Sequence, residues 1–129
     1  MSNILIVEND SAVCSLASIV LQHHGHTVCV ASTAEEAERT YGDSYPDILV
    51  ANISLPGKSG TDFALELVRS HAHVRVLFIT GSPAQRASDA EILRKMPHGS
   101  YTLLKKPFGP GVLSNTVREL LGRKITITA

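Results

Sequence analysis

Short β-rich apolar runs alternate with stretches of helical period along this chain. Ile4-Leu5-Ile6-Val7 is hydrophobic without interruption, as in a strand covered on both faces. Behind it, Val13, Leu16, Ala17, Val20 and Leu21 recur at i, i+3, i+4, i+7 and i+8, the stripe of an amphipathic helix. Asp10 or Ser11 can cap its start, and Gly25 closes it, because glycine enters the left-handed region at little cost. Residues 27–31 read as a second strand. Thr33 with Glu36 three residues on resembles a capping box, opening a short helix to about Tyr41. Pro46-Asp47 breaks the chain before a third strand at 48–51, and a loop with Pro56, Gly57 and Gly60 follows. Phe63, Ala64, Leu67 and Val68 mark a third helix ending near His71, and residues 74–79 a fourth strand. Beyond the Gly81-Ser82-Pro83 turn, residues 84–95 carry the weakest helical pattern, resting on Ala87, Ala90, Ile92 and Leu93. Tyr101 to Leu104 is a short fifth strand, stopped by Pro107. Leu113, Val117, Leu120 and Leu121 stripe a last helix that ends at Gly122.

Five βα units with short connections predict an α/β fold in three layers: a parallel sheet, right-handed crossovers and helices on both faces. Chemistry in such a fold gathers at the carboxyl ends of the strands, where strand order reverses. The candidate site is therefore Glu8-Asn9-Asp10, Asn52-Ile53-Ser54, Thr80-Gly81-Ser82 and Lys105-Lys106. Residues 1–122 are expected to form one domain and 123–129 a tail. The tail alternation Ile125-Thr126-Ile127-Thr128 fits an edge strand, a partner-binding strand or a frayed end, the last being the default.

Composition narrows the function. The chain has 129 residues, 43% of them hydrophobic, enough for one core without disulfide or metal. Twelve basic side chains balance twelve acidic ones, which argues against nucleic acid as the main partner. No apolar run approaches the ~20 residues of a membrane span, and Met1-Ser2-Asn3 lacks a charged secretory leader, so a cytoplasmic location is expected. Cys14 and Cys29 lie in apolar segments without C-x-x-C spacing and read as reduced core thiols. His23, His24 and His26 surround the end of the first helix, and His71-x-His73 follows the third. Adjacent helical histidines point about 100° apart, so surface or helix-capping roles outweigh a metal site.

Four segments carry a family resemblance: Ile4-Leu5-Ile6-Val7-Glu8-Asn9, the stretch 46–60 with Leu55-Pro56-Gly57-x-x-Gly60, Phe78-Ile79-Thr80-Gly81, and Lys106-Pro107-Phe108. In that order and spacing they resemble a response-regulator receiver domain of two-component signalling, of the chemotaxis-receiver type. The resemblance implies a flavodoxin-like (βα)5 sandwich with strand order 2-1-3-4-5. It also implies a pocket in which an Asp after the third strand accepts a phosphoryl group. Two acids after the first strand hold Mg²⁺ there, and a hydroxyl and a Lys contact the phosphoryl oxygens.

Carried over by position, the hydroxyl falls on Thr80, the ammonium on Lys106 and the first acid on Glu8. The second acid falls on Asn9 and the acceptor on Asn52, so two carboxylates are gone. An amide oxygen is a poor nucleophile and would give no stable acyl phosphate. Mg²⁺ sheds water reluctantly and prefers carboxylates, so Mg²⁺ binding is expected to be weak or absent, with Glu8, Asn9, Asn52 and Ser54 as a vestigial ligand set and no cofactor. The switch is altered too: the family's aromatic position, three residues before the Lys, is Leu103, while Tyr101 lies on the same side of the strand. Lys106 reads as an ion-pair partner for Glu8.

These departures lead to a non-enzymatic pseudo-receiver, a protein-interaction module in a two-component or phosphorelay pathway. The expected partner is a histidine kinase, a phosphotransfer protein or another regulator, with a homodimer compatible and no nucleic acid or membrane involved. The contact face implied by the resemblance is helix 4, strand 5 and helix 5, including the switch position Leu103, with Arg86, Asp89, Arg94, Lys95, Tyr101 and Arg118 as exposed candidates. With no room for an effector domain after Leu121, output is expected to pass through a partner unless the chain is a fragment. One alternative is phosphoryl acceptance at another carboxylate, Asp10 being nearest. Another is a flavodoxin-like cofactor binder, which the two carboxylates of Glu8-Asn9-Asp10 disfavour.

Overall fold

The computed structural model describes residues 2–41, 44–81 and 87–123. Strands β1 (Asn3–Val7), β2 (Thr27–Ala31), β3 (Ile48–Asn52), β4 (Arg75–Thr80) and β5 (Tyr101–Lys105) alternate with helices α1 (Ser11–His23), α2 (Ala34–Tyr41), α3 (Gly60–Ser70), α4 (Ala87–Lys95) and α5 (Pro110–Leu121). All strand pairs are parallel and the sheet order is β2-β1-β3-β4-β5, the flavodoxin-like arrangement. The predicted elements fall within a few residues of these bounds, except that residues 84–86 of the expected fourth helix, and Ser82 of the candidate site, lie outside the described residues.

The sheet separates two apolar clusters, because successive strand residues point to opposite faces. Leu5, Val7, Leu49, Ala51, Val76 and Phe78 join side chains of α2, α3 and α4 on one side. Ile4, Ile6, Ile48, Val50, Leu77 and Ile79 meet α1 and α5 on the other. The three inner strands are therefore buried on both faces, which explains their continuous hydrophobic runs.

The helix ends follow local chemistry. Asp10 caps α1 by accepting from the N–H groups of Ala12 (3.0 Å) and Val13 (3.3 Å). Gly25 turns the chain with φ +90°. At α2, Thr33 Oγ1 accepts from Glu36 N–H, while the Glu36 carboxylate reaches back to Ser32 N–H instead of Thr33, a variant of the expected box.

Cys29 corrects the sequence reading: it is exposed, because β2 is an edge strand, and only Cys14 is partly covered. Burial, with a smaller contribution from the Glu8 charge, pushes the Cys14 thiol up, which keeps it protonated and inert at neutral pH. Of the tail expected at 123–129, Arg123 is described, its guanidinium donating to Tyr101 O at 3.1 Å, and 124–129 lie outside the described residues. Among the described residues no helix is long and apolar enough to cross a membrane, and no three or more His, Cys, Asp or Glu side chains are grouped as a metal site would need.

His26 gives a pH dependence. Its Nδ1 faces the Ser2 N–H at 3.3 Å, and burial, aided by neighbouring positive charge, lowers its pKa below 6.5. The folded state therefore resists a proton that the unfolded chain accepts, so stability falls as pH drops below about 6.5. Urea midpoints measured at pH 7.5 and 5.5 are expected to differ less in His26→Asn than in the parent.

Candidate functional site

Glu8 follows β1, Asn52 and Thr80 end β3 and β4, and Lys106 follows β5, so the parallel sheet delivers all four to its carboxyl edge. The neighbouring strand ends lie where β1 is flanked by β2 and β3, the point at which chain order reverses.

The centre of the site is a closed set of polar contacts. Glu8 is 2% exposed, yet its Oε1 accepts from Asp10 N–H (3.0 Å) and from Asn52 Nδ2 (2.9 Å). The Lys106 ammonium donates to Oε1 at 3.3 Å and lies 3.2 Å from Oε2, an ionic contact without hydrogen-bond alignment. Asn52 Nδ2 also donates to Asn9 Oδ1 at 3.4 Å, and Asn52 Oδ1 accepts from Ser54 N–H at 2.9 Å. Lys106 N–H donates to Thr80 O at 2.8 Å, which sets β5's exit beside β4's end.

This arrangement fixes the orientation of the Asn52 amide. A backbone N–H on one side requires an acceptor, and a carboxylate on the other requires a donor. Oδ1 therefore faces Ser54 and Nδ2 faces Glu8. The single buried carboxylate is matched by one ammonium and two N–H donors, so the pocket carries no surplus negative charge beyond that pair.

The loop from β3 to α3 is staked in place. Lys58 Nζ bridges Glu38 of α2 (3.2 Å) and Glu66 of α3 (2.8 Å), and Lys58 N–H donates to Glu35 at 3.1 Å. The hydrogen bond to Glu66 is the main cause that raises the Lys58 pKa. Gly57 adopts φ +75° against the Glu35 carboxylate. Gly60 N–H donates to Ile53 O at 3.0 Å, in a packing that leaves no space for a side chain.

The predicted site residues Glu8, Asn9, Asn52 and Lys106 converge, with Thr80 adjoining and Ser54 contributing its backbone while its side chain is exposed. On the predicted contact face, Leu103 is 43% exposed, and Arg94, Lys95 and Arg118 are exposed. Tyr101 is half-buried, its ring edge-on to Phe78 at 5.8 Å. Arg86 lies outside the described residues. Asp89 is a correction: it is 2% exposed, because α4 turns it inward to accept from Thr61 Oγ1 at 2.8 Å. The sequence reading missed Ser59, Thr61 and Lys58. Ser59 was detectable as an α3 cap, since it precedes Asp62 by three residues and accepts from that residue's N–H.

A doubly wound five-stranded domain with a polar pocket at the carboxyl edge is the architecture that receiver domains share with other flavodoxin-like proteins. The response regulator receiver domain model matches residues 4–118, and the chain belongs to that family of two-component signalling domains. Its curated relatives include the aerobic respiration control protein ArcA of Escherichia coli K12, 28% identical over 97% of this chain and 50% of that protein. The sensor kinase CckA of Brucella abortus is 30% identical over 95% of this chain and 13% of its own length. The chain thus spans half the length of ArcA and much less of the kinase. Among solved structures, the CheY-like receiver domain protein from Methanospirillum hungatei JF-1 superposes with TM-score 0.81 at 21% identity, covering 94% of both chains.

Proposed function

We propose that this receiver works as a protein-interaction module whose state does not depend on phosphorylation at residue 52. The carrying observation is Asn52 itself. Its amide stands at the end of β3 with Oδ1 engaged by Ser54 N–H and Nδ2 directed at Glu8, so no anionic oxygen is offered there. The other carboxylate considered as an acceptor, Asp10, is occupied as the α1 cap.

The donor set also fits Mg²⁺ poorly. An octahedral, hard cation would have to displace the Lys106 ammonium from Glu8 and would meet the N–H₂ side of Asn52. The pocket instead neutralises Glu8 internally. A protein partner such as a histidine kinase, a phosphotransfer protein or another regulator is supported by family membership, and by relatives that include both a regulator and a sensor kinase. The contact face proposed is α4–β5–α5, with Arg94, Lys95, Tyr101, Leu103 and Arg118 presented there. Shape of the face, set by packing, takes the place of a chemical trigger.

Incubation with acetyl phosphate and Mg²⁺, followed by intact mass measurement, tests this reading. The expected spectrum shows no added phosphoryl group. A stoichiometric gain of one phosphoryl group, lost in Asn52→Ala, overturns the reading.

A further inference from the structure

Thr61 and Asp89 form a buried polar contact between α3 and α4, beside a largely apolar cluster. Thr61 sits in the first turn of α3 with no exposed surface, and Asp89 in the first turn of α4 is 2% exposed. Thr61 Oγ1 donates to Asp89 Oδ1 at 2.8 Å. Ser59, the cap of α3, lies 3.1 Å from Thr61 Oγ1, donates to Asp62 Oδ2 at 3.0 Å and accepts from Asp62 N–H at 3.1 Å.

Proton accounting fixes the direction of this set. Each hydroxyl has one proton, and an ionised carboxylate only accepts. Thr61 therefore spends its proton on Asp89, and Ser59 on Asp62. The chain of contacts begins at the pocket: β3 ends at Asn52, Ile53 O receives Gly60 N–H, Ser59 caps α3, and Thr61 reaches α4.

Leu65 and Val68 of α3 and Leu93 of α4, with Met96 just beyond it, supply apolar packing on this side of the sheet. Apolar packing attracts two helices but is tolerant of small sliding, whereas a hydrogen bond to a buried charge is directional. We infer that the Thr61–Asp89 hydrogen bond is a positioning latch. It holds the first turn of α4 in one register on α3, and so fixes the α4–β5 face without a phosphoryl group. The inference rests on the reading above that this face meets the partner, but the latch is measured without any partner or phosphodonor.

Native-state amide exchange of the whole chain is the test, comparing α4 with α1 and α5 across the sheet. Thr61→Val keeps the shape and removes the donor; it is expected to speed exchange in α4 about tenfold or more, with α1 and α5 within about twofold. Thr61→Ser, which restores a hydroxyl, is expected to return α4 to within about threefold of the parent. If Thr61→Val fails to fold, Thr61→Val with Asp89→Leu removes both polar groups together and is expected to fold, because the buried carboxylate goes with its donor. In that double variant, α4 exchange should stay fast and the β5 amide resonances of Tyr101 and Leu103 should shift. Unchanged α4 exchange in Thr61→Val, equal acceleration in all three helices, or parent-like α4 exchange in the double variant overturns the latch. None of these outcomes depends on whether acetyl phosphate labels the protein, so failure of the latch and failure of the phosphorylation-independent reading are separately visible.

Discussion

Replacing Asn9 and Asn52 together by aspartate is expected to lower stability by about 1–3 kcal/mol at low salt and to create measurable affinity for Mg²⁺. The stability loss comes mainly from position 52. There the Nδ2 that donates to Glu8 at 2.9 Å becomes an anionic oxygen facing another in a site that is almost fully buried. Ser54 N–H still has an acceptor, so the loop contact survives. One ammonium then faces three carboxylates, a set that a divalent cation relieves. Mg²⁺ at a hundredfold excess over its dissociation constant should return about 2.7 kcal/mol. Asn9 is exposed, so its single substitution should move stability less and chiefly raise metal affinity. Urea titrations with and without Mg²⁺ measure both effects. Parent-like stability together with indifference to Mg²⁺ would show that the amides are not what quiets the pocket.

Gly60→Ala is expected to destabilise by about 3 kcal/mol or more, enough to threaten folding of a domain of ordinary stability. A Cβ at this position overlaps the carbonyl oxygen of Asn52 and comes within 2.8 Å of its carbon and 3.2 Å of Ile53 Cα, all rigid backbone. Relief requires moving the start of α3, which would break the Gly60–Ile53 hydrogen bond and disturb the Ser59 cap. Gly111→Ala supplies the contrast. It lies in the first turn of α5 with open space around it and no positive φ, and the substitution should stabilise by about 0.4–1 kcal/mol through the unfolded chain. A Gly60→Ala protein with a parent-like thermal midpoint would mean the loop can move where the packing says it cannot.

Much of this architecture could be read from the chain. Uninterrupted runs such as Ile4-Leu5-Ile6-Val7 occur because inner strands are covered on both faces, and the helices declare themselves through stripes such as Val13, Leu16, Ala17 and Val20. The residues at strand ends followed from the βα alternation alone. Edge position was less visible: Cys29 sits among apolar neighbours in sequence, but β2 has sheet on only one side. Asp89 misled for a different reason, since a charged side chain reads as solvated unless its partner is known. Its spacing from Leu93 and Met96, four and seven residues on, places it on the buried side of α4, a signal that the charge concealed. The partner, Thr61, lies 28 residues away and no local pattern joins the two. The Lys58 bridge likewise unites α2 and α3 through a loop residue, a relation created only when the helices dock.

The five strands stand between two groups of side chains that share no member. Helices α1 and α5 therefore rest on different side chains from α2, α3 and α4. A visitor that nudges α4 alone presses on the α2–α3 side of the slab, whereas one gripping α4, β5 and α5 together presses on both layers.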